Sequence, residues 1–178
     1  QDRDVYVENL NSGRIKKLTT RKKDTHVNGT TDWAYEEEFQ IRDGFQWSPD
    51  GKSIAYFQFD TEGVGTFQMA DYLAGIYSEV IRLPYPKVGT TNSSVRIGVV
   101  NAKGGKTKWF DDLPGDPRQH YIPRFYWAGN SEEVVFQRLN RLQNTSTLWM
   151  ANLKSGKLDP FFEEKADTWI YIHNHLTW

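Results

Sequence analysis

The chain has 178 residues, 38% hydrophobic and 25% charged, with a formal net charge of −1. That suffices for one globular domain of ordinary size, and the balanced charge gives no overall pull toward nucleic acid or an anionic membrane. No apolar run approaches the roughly 18 to 20 residues a membrane helix needs, and the absence of cysteine excludes disulfides, thiolate chemistry and cysteine-based zinc sites.

Aromatic residues reach 15%, with seven Trp and nine Tyr, a composition that favours strands. The chain starts at Gln1 without a methionine or leader, so a processed chain or an excised fragment is expected.

In chain order, Val5–Leu18 reads as a β-hairpin. Gly13 follows a short polar turn and supplies the positive φ that a tight turn needs. The basic residues Lys16, Lys17, Arg21, Lys22 and Lys23 read as a solvated hairpin and loop, without the aromatic pattern of a nucleic-acid site. Next comes TDWAYEEEF, Thr31 to Phe39, where three glutamates sit among aromatics. Asp32 suits an N-cap, which predicts a short helix starting at Trp33 and held by Trp33, Tyr35 and Phe39. The stretch falls between repeats, so the helix is expected between blades.

Phe45–Gln58 reads strand, turn, strand, with Ser48-Pro49-Asp50-Gly51 as the turn. Thr61–Ser94 is a long insertion. Its Phe67, Met69, Tyr72, Leu73, Ile76 and Tyr77 are apolar enough for an interface. Arg96–Trp109 repeats the first hairpin type around Gly105, and Phe125–Arg138 repeats the second, Trp127 matching Trp47. Arg141 either braces a blade or approaches a central channel. Leu148–Phe161 is a third copy of the first hairpin, around Gly156, and Ile170-Tyr171-Ile172 opens a further strand that stops at Trp178. His173 and His175 alternate there, but no third zinc ligand accompanies them. Asn28, Asn92 and Asn144 match the N-glycosylation pattern, which is short enough to arise by chance.

Two alternating hairpins make a four-stranded antiparallel unit of about 50 residues, the blade of a β-propeller. The expected fold is therefore all-β: a partial propeller of about three four-stranded blades, incomplete, with a short inserted helix. A β-sandwich is the alternative, which the alternating hairpins disfavour.

Adjacent glutamates on a helical turn can converge on one small cation. Like charges repel and raise a carboxyl pKa, so such a pair calls for a positive ligand. A primary ammonium, with three donors and no acceptor, suits two carboxylates. A divalent metal would need further oxygen ligands, and a solvated acidic turn needs none.

The combination DWAYEEEF (Asp32 to Phe39), WSPDG (Trp47 to Gly51), RLPYPKVGTTNSSV (Arg82 to Val95) and NRLQN (Asn140 to Asn144) resembles the dipeptidyl peptidase IV family. The likeness runs through that family's N-terminal propeller domain and covers essentially the whole chain, residues 1–178. It implies that a complete propeller caps a catalytic α/β-hydrolase domain later in the same polypeptide. It further implies that Glu37 and Glu38 bind the substrate's free amino terminus, with Trp33, Tyr35 and Glu36 in support. The enzyme would then release an N-terminal dipeptide with proline or alanine second, without a cofactor. The insertion Thr61–Ser94 would correspond to an arm that makes a homodimer.

The resemblance also implies a periplasmic or secreted setting, and the lack of cysteine, unlike animal members, leans toward a bacterial source. No G-x-S-x-G nucleophile elbow occurs in the chain, so the catalytic residues are expected in the hydrolase domain and the fragment alone is expected to be inactive. The family's further substrate-binding arginine is not identifiable. Tripeptidyl or endopeptidase cleavage stays open, as does a non-catalytic propeller serving as an interaction platform.

Overall fold

The computed structural model describes residues 3–174 and Leu176. A hairpin of β1 (Tyr6–Asn9) and β2 (Arg14–Lys17) comes first. A sheet follows from β3 (His26–Asn28), β4 (Phe45–Trp47), β5 (Ser53–Asp60), β8 (Ser94–Asn101) and β9 (Lys108–Phe110), with helix α1 (Trp33–Phe39) between β3 and β4. A separate hairpin, β6 (Thr66–Asp71) and β7 (Glu79–Pro84), occupies the insertion. The last sheet is a four-stranded meander of β10 (His120–Trp127), β11 (Glu133–Asn140), β12 (Thr145–Asn152) and β13 (Leu158–Lys165). The result is half a blade and two whole blades in an unclosed all-β array, as the hairpin repeat predicts.

The helix is placed differently from the sequence expectation. It lies inside a blade, not between two. β3 and β4 both pair with β5, in register Asn28↔Gln58 and Phe45↔Tyr56, so together they form one inner strand that residues 29–44 interrupt. In the next blade the inner strand β10 is continuous, yet its register shifts between Tyr121 and Arg124. Both breaks fall within one residue of the same place along the neighbouring strand, beside Phe57 in one blade and opposite Arg138 in the other. One blade carries a small bulge there, and the other carries the helix.

The interruption is pinched at its neck. The Gly29 N–H donates to the Phe57 carbonyl and the Phe57 N–H to the Gly44 carbonyl, each at 2.9 Å or less. Gly44 passes so near Thr30 that a Cβ would meet its backbone at 2.7 Å, which only glycine avoids. The Thr31 hydroxyl donates to the Ile41 carbonyl at 2.8 Å and closes the loop behind the helix.

A second difference lies at the end of the chain. Residues 170–174 pair with no strand among the described residues, although the Ile170 N–H donates to the Gln143 carbonyl and Ile170 is buried. Trp178, matched to Trp47 and Trp127 by the repeat, lies outside the described residues.

The main core fills the space between the two whole blades. Ala55, Phe57, Phe59, Ile97 and Phe110 from one meet Ile122, Phe125, Val134, Phe136 and Leu139 from the other. The Phe57 and Phe125 rings are edge to face at 4.6 Å. Each fully buried side chain of this size contributes about 1.5–3 kcal/mol.

Polar side chains cross the seam between the half blade and the first whole blade. Asp4 accepts from the Asn28 amide and the Thr19 hydroxyl, both at 2.8 Å, and pairs with Lys17 at 2.9 Å. Asn28 accepts from Gln58 at 2.7 Å, and Gln58 accepts from Arg96, which stacks over the Trp109 ring at 3.8 Å. Asn28 is thus buried and bonded on both sides, and Asn92 is buried with its amide on the Tyr121 hydroxyl. Neither leaves room for a glycan in this fold.

Candidate functional site

Helix α1 begins as its sequence suggests. Asp32 has extended backbone, and its Oδ1 accepts from the Tyr35 N–H at 3.0 Å, an N-cap bond. The helix stops where Gln40 turns left-handed at φ 55, which lets the Ile41 N–H return to the Tyr35 carbonyl at 3.2 Å.

Two of its aromatics anchor it. Tyr35 and Phe39, four residues apart, share one face and are buried. Tyr35 packs edge to face on Phe59 at 4.6 Å, and Phe39 on Tyr121 at 5.3 Å. The Tyr35 hydroxyl accepts a hydrogen bond from the Ile122 N–H at 2.9 Å. Burial holds that phenol well above the usual tyrosine range, so it stays neutral. Trp33, expected to join this anchor, points elsewhere. It is half-buried and lies 4.1 Å, ring to ring, from Tyr85 at the base of the insertion.

The three acids occupy the exposed side of the helix. Glu36 pairs with Arg42 at 3.1 Å. Glu37 and Glu38 have no lysine or arginine within salt-bridge distance among the described residues. Burial first, and then the adjacent Glu37 carboxylate, push the Glu38 carboxyl above its ordinary range. Burial likewise raises the Asp32 carboxyl at the other end of the helix. The structure therefore separates the acid run into one neutralised member and a neighbouring pair with uncompensated charge. Such a pair attracts a small cation or a hydrogen-bond donor with several N–H groups.

Other sequence candidates resolve into structural contacts. Lys16 reaches the Lys103 carbonyl, Lys17 pairs with Asp4, Arg21 with Asp24, and Lys23 with Glu62. His173 pairs with Glu164 at 2.8 Å, while His175 lies outside the described residues. Among the described residues no three His, Asp or Glu side chains converge as a metal set. Arg141 braces the insertion by donating to the Thr90 carbonyl. A cavity of about 390 Å³, lined by His26, Gln58, Asp60, Arg96, Asp111 and His120, includes none of the three glutamates.

Sequence reasoning assigns no role to Tyr85, Ile122 or Arg42, although Tyr85 lies within the quoted stretch Arg82 to Val95. Arg42 carries a local signal, since it lies six residues beyond Glu36 just past the helix end. The other two are brought in by the fold alone.

The chain is similar to known proteins along its whole length. Residues 1–178 match the family model described as the dipeptidyl peptidase IV (DPP IV) N-terminal region. The inactive dipeptidyl peptidase 10 of Rattus norvegicus is 32% identical over 173 residues, 95% of this chain and 22% of that protein. The dipeptidyl peptidase 4 of Bos taurus is 33% identical over 156 residues, 82% of this chain and 20% of that protein. Among solved structures, Porphyromonas gingivalis dipeptidyl peptidase 4 superposes with a TM-score of 0.84 at 29% identity, over 95% of this chain and 24% of that one. The chain thus spans about a fifth to a quarter of the length of the relatives it matches.

Proposed function

Because the chain belongs to the dipeptidyl peptidase IV family, whose N-terminal region it matches throughout, we propose that it is the substrate-gating propeller portion of a serine exopeptidase that releases N-terminal X-Pro or X-Ala dipeptides. In this reading Glu37 and Glu38 hold the peptide's amino terminus as an ammonium. That group has a pKa of roughly 8 and is charged at neutral pH. The observation that carries the proposal is the pair itself: two neighbouring carboxylates on an anchored helix, without a lysine or arginine partner among the described residues, one of them with a raised pKa. Glu36, bound to Arg42, braces the turn, and Tyr35 sets the helix against the neighbouring blade.

Fixing the amine at one point gives the cleavage site a ruler, because the scissile bond then lies a set number of residues away. The nucleophile would come from a hydrolase domain of the same polypeptide, so the chain by itself is expected to show no peptidase activity. Bacterial proteins among the structural relatives support a bacterial source. A periplasmic or secreted setting, and a homodimer made through Thr61–Ser94, belong to the same proposal.

The intact polypeptide tests it. Peptides with a free amino terminus and proline second should be cleaved, and N-acetylated versions of the same peptides should not. Equal cleavage of both would overturn the role of the glutamate pair. A second reading is a non-catalytic propeller that serves as an interaction platform. It draws support from the similarity to inactive dipeptidyl peptidase 10. A G-x-S-x-G elbow encoded in frame after Trp178 favours the peptidase, and a missing serine in an otherwise intact hydrolase domain favours the platform.

A further inference from the structure

The side of α1 opposite its anchor meets the base of the inserted hairpin, and it does so through rings. Trp33 opens the helix, and its ring lies 4.1 Å from that of Tyr85 at 45°. Tyr85 stands one residue beyond β7, where its N–H donates to the Gly65 carbonyl at 2.7 Å and extends the β6–β7 ladder. A second aromatic neighbour of the Tyr85 ring is Phe67 on β6, at 5.5 Å. Trp33, Tyr85 and Phe67 thus form a column from the helix into the arm.

A cavity of about 340 Å³ lies alongside, bounded by Trp33, Glu36, Thr61, Leu83 and Pro84. Across this space the ring column is a direct contact between arm and helix. The stems of the arm are held on the far side as well. Arg118 donates to the carbonyls of Asp60 and Asn92, which lie at its two ends, and Arg141 donates to Thr90. The arm base is thus tied to the flanks of the next blade through Arg118 and Arg141. Glu37 follows Trp33 by four residues, one turn along the same side of a seven-residue helix. A tilt at Trp33 is a displacement at the glutamates.

We propose that Tyr85 is a positioning residue for amino-terminus recognition: the arm, acting through the Trp33–Tyr85 contact, sets the helix so that Glu37 and Glu38 converge. This rests on the function proposed above for that pair. It makes the arm part of substrate selection as well as a candidate contact between copies.

Binding of the dipeptide Ala-Pro to the intact polypeptide, measured by calorimetry beside acetyl-Ala-Pro, tests the inference without requiring turnover. Wild type should prefer the free amine. Tyr85→Ala should lose about tenfold of that preference, the scale of one aromatic pair, and Tyr85→Phe should retain it. In a Glu38→Gln background, Tyr85→Ala should have no further effect, because it acts through the pair; an independent structural defect would add its loss. Phe67→Ala, on the exposed arm, removes the outer ring without touching the core and should give a smaller loss in the same direction. If Glu38→Gln abolishes the preference while Tyr85→Ala and Phe67→Ala leave it intact, the positioning role is wrong and the glutamate assignment stands. If wild type shows no preference for the free amine, both fall.

Discussion

The phenolic oxygen of Tyr35 lies 2.9 Å from the backbone nitrogen of Ile122, eighty-seven residues away, and accepts its hydrogen bond. Ile122 sits in the register shift of β10 and is fully buried. A helix interrupting the inner strand of one blade thus supplies the acceptor for the bulge in the next.

Replacing Tyr35 with Phe keeps the ring packing and removes the acceptor. The Ile122 N–H would then be buried without a partner, which costs about 1–3 kcal/mol. Urea unfolding of the intact polypeptide should show this as a lower midpoint with an unchanged slope. An unaltered midpoint would mean that water or another group satisfies the amide.

Glu37→Gln and Glu38→Gln should each weaken cleavage of peptides with free amino termini by about 2–5 kcal/mol in kcat/KM. Values near wild type in both variants would remove the pair from the site.

The raised pKa of Glu38 also shapes the acid limb of that activity. The ionised pair binds the ammonium, so activity is present at higher pH and declines as pH falls through the Glu38 pKa. Because that pKa lies above the ordinary range, the decline should begin at a higher pH than an isolated glutamate would give. Glu37→Gln removes the neighbouring charge and should move the limb to lower pH in a kcat/KM profile. For stability the sign is the reverse. A carboxyl raised in the folded state favours folding at low pH and loses that contribution as pH rises, so Glu38→Gln should slightly raise the melting temperature at neutral pH.

Asp4 behaves oppositely. Burial pushes its carboxyl up, but the Lys17 ammonium, the Asn28 amide, the Thr19 hydroxyl and the Arg21 N–H together bring it below the usual range. Its stabilising contribution is present above the unfolded value and is lost as pH falls through the lowered one. Asp4→Ala leaves Asn28 and Thr19 without their shared acceptor and should cost about 1–3 kcal/mol at neutral pH. The loss should shrink in acid, as denaturant curves at two pH values would show.

On the proposal that the arm makes a homodimer, deleting Thr66–Pro84 should convert the intact protein from dimer to monomer in sedimentation. Tyr72, Leu73, Ile76 and Tyr77 stand almost fully in solvent on this chain, as interface residues do before pairing. Unchanged association after the deletion would refute the arm's role in dimer formation.

The hairpins, the N-cap and the start of the helix were legible because each is a local device. Ser48-Pro49-Asp50-Gly51 bends the chain on its own, and Asp32 needs only the next three residues to make its bond. The interruption of the inner strand was not legible. β3 is three residues long, all buried and two of them polar, so it shows no alternation. Its identity as half of a strand depends on pairing with Gln58 through Asp60, thirty residues on. The division of the acids into Glu36 and a separate pair was already implied by the family resemblance, but the pairing of Glu36 with Arg42 required side-chain directions. Tyr35 was read as an anchor through its ring, whereas its hydroxyl contact depends on a bulge in another blade.

That shared break has a use beyond this molecule. The inner strand of a blade tolerates two residues at the break in one repeat and residues 29–44 in the other, while the pairing on either side keeps its alignment. It is a port. A helix with a glycine neck could be grafted into the equivalent place at Ile122–Pro123, giving two adjacent blades that each carry one.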